Sequence, residues 1–161
     1  MFAKLWHYSS CFLSSRKHRH VVETSIDLLY HAKIPLQFWD DAFQTACYII
    51  NRFPTSTIKN LSPFEKLFNH ALDYNMLRVF GCACWPNLRP YNSHKLQPHS
   101  SQCIFLGYSL LHKGYKCLHP PSNCVYISRD VLFNETQFPF TQFVSPHNQL
   151  TTLSDISVFQ V

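Results

Sequence analysis

The residues here whose types could do chemistry are an acidic pair, a set of cysteines and a basic run. Asp40 and Asp41 are adjacent, as a divalent-metal site would allow, but helix neighbours diverge by about 100° and do not converge on one ion. Both fall in a first helical turn, where negative charge complements the positive end of the dipole. Cys82, Cys84, Cys103, Cys117 and Cys124 contain no Cys-x-x-Cys knuckle, the source of two ligands in most zinc sites. Small buried thiols in a barrel core are the expectation, and neither metal nor other cofactor is expected. Ten histidines are scattered, with no signature orienting any of them toward a cysteine. The run Arg16-Lys17-His18-Arg19-His20 differs in kind, since cations at a helix start either neutralise phosphates and release counterions or face water.

Gly81, Gly107 and Gly114 are the only glycines and match neither a dinucleotide-binding fingerprint nor a P-loop. Those nucleotide chemistries are excluded, and no small-molecule substrate is expected.

The elements that position these residues follow from apolar periodicity. Val22, Ile26 and Leu29 recur on one face of a helix over residues 16–32, which Pro35 ends. Trp39, Ala42, Phe43, Ala46, Cys47, Ile49, Ile50 and Phe53 form a wide stripe on a second helix, closed by Pro54. Ser62-Pro63-Phe64-Glu65 is a capping box with proline in the first turn, predicting a third helix to about Asn69. From Leu77 the period changes to two. Strands are predicted over 77–85, 103–108, 114–118 and 124–128, with 129–133 extending the last after a bend. Residues 87–101 form a polar loop, and Pro120-Pro121-Ser122-Asn123 a turn.

Over 161 residues, 46% hydrophobic and 14% charged, the composition allows a buried core. The net charge is +5. Residues 77–140 hold six Lys/Arg against two Asp/Glu, a local excess that favours nucleic acid modestly over a neutral protein partner. The odd cysteine count and the lack of a signal peptide or an apolar run of roughly 18–20 residues predict an intracellular setting, nucleus or cytoplasm, with no membrane contact.

Several stretches together carry a resemblance. Residues 15–24, 35–43 (Pro35-Leu36-Gln37-Phe38-Trp39-Asp40-Asp41-Ala42-Phe43), 48–54 and 62–67 resemble the last helices of copia-type retrotransposon integrase cores. Residues 77–84, 103–108 and 126–135 resemble the SH3-like domain that follows in the same Pol polyprotein. The similarity covers about residues 15–140. It implies an α+β architecture: a helical remnant of an RNase H-like integrase core over 16–70, then a small SH3-like β-barrel over 77–138. A divergent segment over 1–15 and a linker-like, disordered tail over 139–161 complete the expected plan. The helices, deprived of the core's sheet, are expected to expose apolar surface, and the barrel to fold alone.

The resemblance also implies a chemistry and its loss. Integrases of this family hold two metals with two Asp and one Glu. The Asp pair is expected upstream of this chain. Ser15 stands where the Glu would, and a hydroxyl is a poor ligand for a hard cation. Glu23 is about 12 Å further along the helix. The chain is therefore expected to be a catalytically inactive remnant with residual DNA or RNA contact through Arg16, Lys17 and Arg19. Arg89, Lys95, Lys113 and Lys116 are the secondary candidates. Among aromatics, Trp85 and Tyr91 flank or lie in the long loop. The alternative is a protein–protein module that self-associates through the exposed helix face.

Overall fold

A computed structural model describes residues 15–109, 112–140 and 157–159. The expected segment over 1–15 lies almost wholly outside them. Among the described residues three α-helices come first, α1 (Ser15–Ala32), α2 (Trp39–Ile50) and α3 (Pro63–Phe68). The described strands follow: β1 (Ala83–Pro86), β2 (Cys103–Tyr108), β3 (Tyr115–His119), β4 (Cys124–Ser128), β5 (Val131–Asn134) and β6 (Ser157–Phe159). The sheet order is β5-β1-β2-β3-β4-β6, antiparallel except for the parallel β4–β6 pair. The five antiparallel strands are the SH3-like part. In the tail, for which no fixed structure is expected, residues 157–159 pair with Cys124, Val125 and Tyr126.

Strand β2 is buried along its whole length. Side chains alternate across a strand, so Ile104 and Leu106 enter one apolar cluster while Cys103 and Phe105 enter another. The first cluster joins helices to sheet. Leu29, Ala32, Ile34, Phe38 and Ala42 lie with Phe80, Ile104, Leu106, Leu118 and Val125 in a single core. The stripe on α2 is wide because that helix has two partners. Ala46 and Cys47 pack with Val21 of α1, and Ala42 joins the core shared with the sheet. Trp39 remains 58% exposed, so part of the expected apolar surface persists.

The buried face of α1 is Val21, Ser25, Leu29 and Ala32, and Ile26 is 51% exposed. This corrects the expected Val22–Ile26–Leu29 face by about one residue. Small side chains let α2 come close, and the buried Ser25 hydroxyl is satisfied by donating to the Val21 carbonyl at 2.6 Å. The capping box forms as expected: Ser62 Oγ accepts from Glu65 N–H, and Glu65 Oε2 accepts from Ser62 N–H, each at 3.0 Å. Strand β1 starts six residues later than predicted, because Gly81 turns the chain at φ +79° before it.

An ion pair fastens α2 to β3. Lys116 Nζ donates to Asp41 Oδ1 and to Gln44 Oε1, both at 2.8 Å, with the Lys and Asp side chains only 19% and 22% exposed. Burial raises the Asp41 carboxyl above its usual range, and Lys116 pulls it back. Removing the cation therefore costs more than removing the anion. Lys116→Met should destabilise by about 2–3 kcal/mol, at the low end for a broken buried pair because some exposure remains. Asp41→Asn should cost only about 1 kcal/mol, since Gln44 still accepts and the carboxylate's desolvation disappears. Urea unfolding of both variants checks the order; equal losses would contradict it.

The second cluster encloses Cys82, Cys84, Cys103 and Cys117 with Phe105, Tyr108 and Tyr115. All four cysteines are unpaired thiols. Burial pushes Cys82, Cys103 and the Tyr108 hydroxyl up to about 12. A hydrogen bond with Cys117, reinforced by burial, raises Cys84 as well. In the unfolded chain thiols ionise near pH 8.5 and tyrosine near 10. Their stabilising effect is thus complete below that range and is lost as pH climbs toward 12. Urea midpoints should stay level between about pH 7 and 8. Between about pH 9 and 11 stability should fall by about 1 kcal/mol per unit for each of Cys82, Cys84 and Cys103; a level midpoint at pH 11 would contradict this.

Candidate nucleic-acid interface

The polar loop between β1 and β2 is held at several points. Leu88 N–H donates to the His99 carbonyl at 2.8 Å, and Asn87 N–H to the Asp130 carbonyl at 3.0 Å. Tyr91 pins its middle: the hydroxyl donates to the Ile127 carbonyl at 2.7 Å and accepts from Ile127 N–H at 3.3 Å. The Tyr91 ring also lies 5.0 Å from that of Tyr126. Beyond this anchor, Asn92 donates to the Pro98 carbonyl and Ser93 N–H to Gln97, closing a small lobe. An open cleft of about 490 Å³ lies there, lined by Arg89, Asn92, Ser93, His94, Lys95 and His99. Arg89 Nε donates to His99 Nδ1 at 3.4 Å.

This cleft gathers two of the seven sequence-predicted cations, Arg89 and Lys95. Lys113 is exposed in the turn between β2 and β3. Lys17 and Arg19 are exposed near the start of α1, where Arg19 pairs with Glu23 at 2.7 Å. The backbones of Ser15 and Arg16 open that helix. Lys116 differs from the others. Its ammonium is turned to Asp41 and Gln44.

Two further arginines are also engaged internally. Arg52 lies 3.3 Å from the Tyr48 ring centroid and 4.7 Å from that of Phe64. Arg78 lies over Phe133 and reaches Glu135 at 3.4 Å. Sequence reasoning missed His94 and His99, and their position among the polar residues of one loop was the available signal. Among the described residues no group of three His, Cys, Asp or Glu side chains is placed to hold a metal ion, and no helix is long and apolar enough to cross a membrane.

Residues 82–146 match the family described as the retroviral polymerase SH3-like domain. The Retrovirus-related Pol polyprotein from transposon RE1 of Arabidopsis thaliana is 54% identical over 144 residues, 89% of this chain. The chain belongs to the copia-type Pol polyprotein family. Its SH3-like domain carries the loop and cleft described above. The Pol polyprotein from transposon RE2 of the same plant is 54% identical over 129 residues, 80% of the chain. That from transposon TNT 1-94 of Nicotiana tabacum is 37% identical over 125 residues, 78% of the chain. The chain spans about 9% of the length of each of these Pol relatives. No solved structure matches it significantly. An alignment of 144 residues includes both helices and SH3-like domain, so the two occur consecutively in the RE1 Pol protein as well.

Proposed function

We propose that this stretch of Pol sequence is a non-catalytic module that contacts nucleic-acid phosphates through its SH3-like domain. The observation that carries the reading is the cleft on the pinned β1–β2 loop, where Arg89 and Lys95 come together without a carboxylate in the lining. Lys113 and Lys17 are further exposed cations outside the cleft, and Arg19 of α1 is paired with Glu23. Asp41, the carboxylate nearest to a metal-site candidate in the sequence, is committed to Lys116. Ser15 supplies no carboxylate where the integrase resemblance calls for one.

Phosphate contact has a salt signature. Each phosphate neutralised on duplex DNA contributes about −0.9 to the slope of log K against log salt. Binding of a short duplex should weaken steeply between about 50 and 200 mM salt, and Arg89→Ala/Lys95→Ala should flatten the slope by roughly 2. No binding at low salt, or an unchanged slope in the double variant, would overturn the reading. The second reading, self-association, is favoured by Leu36, Trp39, Leu67 and Phe68, each more than half exposed. A sedimentation profile that shifts with protein concentration while DNA binding is absent would select it.

A further inference from the structure

The cleft on the β1–β2 loop contains two imidazoles beside its two permanent cations, and one of them is tied to Arg89. We propose that nucleic-acid phosphates bind this cleft together with protons, taken up by His94 and His99. The proposal rests on the phosphate-binding reading above and adds its regulation.

The Arg89–His99 hydrogen bond fixes the direction of the effect. An Arg Nε–H only donates, so His99 Nδ1 accepts, and this imidazole is neutral in the observed contact. A second proton on Nδ1 removes the acceptor and sets two cations against each other. The contact then opens, which frees the Arg89 guanidinium. At 3.4 Å the bond is long, so little is lost in breaking it. His94 gains its proton in the same cleft without breaking a bond to Arg89. The lining thus passes from two positive charges, Arg89 and Lys95, to four.

The other groups facing the imidazoles are Asn92 and Ser93, which carry no charge. Among the described residues the loop's hydrogen bonds to the rest of the domain run to the Asp130 backbone carbonyl and the Ile127 backbone, and the Tyr91 ring meets that of Tyr126, so these contacts bring no side-chain charge to the cleft. A bound phosphate supplies the missing counter-charge. By linkage, protons then favour the phosphate as much as the phosphate favours protons.

The test uses the full chain and a short DNA duplex at about 50 mM salt, comparing affinity at about pH 5.8 and pH 7.5. Wild type should bind about tenfold tighter at the lower pH, with a salt slope steeper by up to about 1.8 for two added charges. In His94→Gln/His99→Gln this affinity ratio should fall to about two- to threefold, the share left to other histidines such as His20 on α1. His70→Gln, outside the cleft, should keep the wild-type ratio. Histidine ring signals followed by NMR at about pH 6.5 should show both imidazoles taking up protons as duplex is added. Binding that does not vary with pH, or a double variant retaining the tenfold ratio, overturns this proposal alone. No binding at either pH overturns the phosphate-binding reading with it.

Discussion

A chain cut to residues 77–161 is expected to lose the sharp thermal transition of the full chain and to bind hydrophobic dyes. The SH3-like domain has no apolar core of its own on the helix side. Phe80, Ile104, Leu106, Leu118 and Val125 are covered there by Leu29, Ala32, Ile34, Phe38 and Ala42. Uncovering five large apolar side chains forfeits roughly 1.5–3 kcal/mol each at full exposure. The sum rivals the whole stability of an ordinary domain. The sequence leads to the expectation of a barrel that folds alone. A strand buried on both faces needs two covers, and β2 receives one of them from α1 and α2. Circular dichroism melts of the two chains decide the matter, and a cooperative melt of the short chain within a few degrees of the full one would contradict the shared core.

Gly107→Ala is expected to destabilise the protein by about 2–5 kcal/mol. Gly107 sits at φ +117° where β2 shifts register against β3, a conformation that side chains rarely adopt. A Cβ built there falls on Thr45 Oγ1 of α2. Backbone strain contributes about 1–3 kcal/mol and overpacking a similar amount. The two can be separated, since Thr45→Ala relieves the collision and leaves the dihedral. Adding it to Gly107→Ala should recover about half of the loss. If Gly107→Ala alone unfolds at the wild-type urea concentration, the close approach of α2 to β2 is wrong.

How much of this was legible depends on whether the signal is local. The capping box at Ser62 and Glu65 is closed by residues three apart, and it formed as read. Strands β2 and β4 were likewise bounded by local breakers, and their ends agree with the pattern. The start of β1 was not legible, because Val79 and Phe80 alternate like strand residues. What turns them is the fit of Gly81 against Ala32, nearly fifty positions earlier in the chain. The same holds for charge. Nothing near Lys116 in sequence says that its partner is Asp41, and helix-dipole chemistry accounted for Asp41 without it. The buried face of α1 is shifted from the expected one because Ser25 reads as polar until its hydroxyl is paired within its own helix.

For the candidate site, composition found the cations of the 87–101 loop but not their grouping. That grouping comes from Tyr91 anchoring on Ile127, an interaction across 36 residues. Counting charge also overstates the usable surface. Lys116 and Arg78 belong to the six Lys/Arg of the SH3-like region, yet both are engaged with carboxylates.

The account depends on helices and sheet forming one body that holds the basic loop in place. Native-state hydrogen exchange tests this directly. The slowest amides of α2 and those of β2 and β3 should open with the same free energy, equal to that of global unfolding. Helical amides that exchange through a separate opening, several kcal/mol easier than that of the strands, would contradict it.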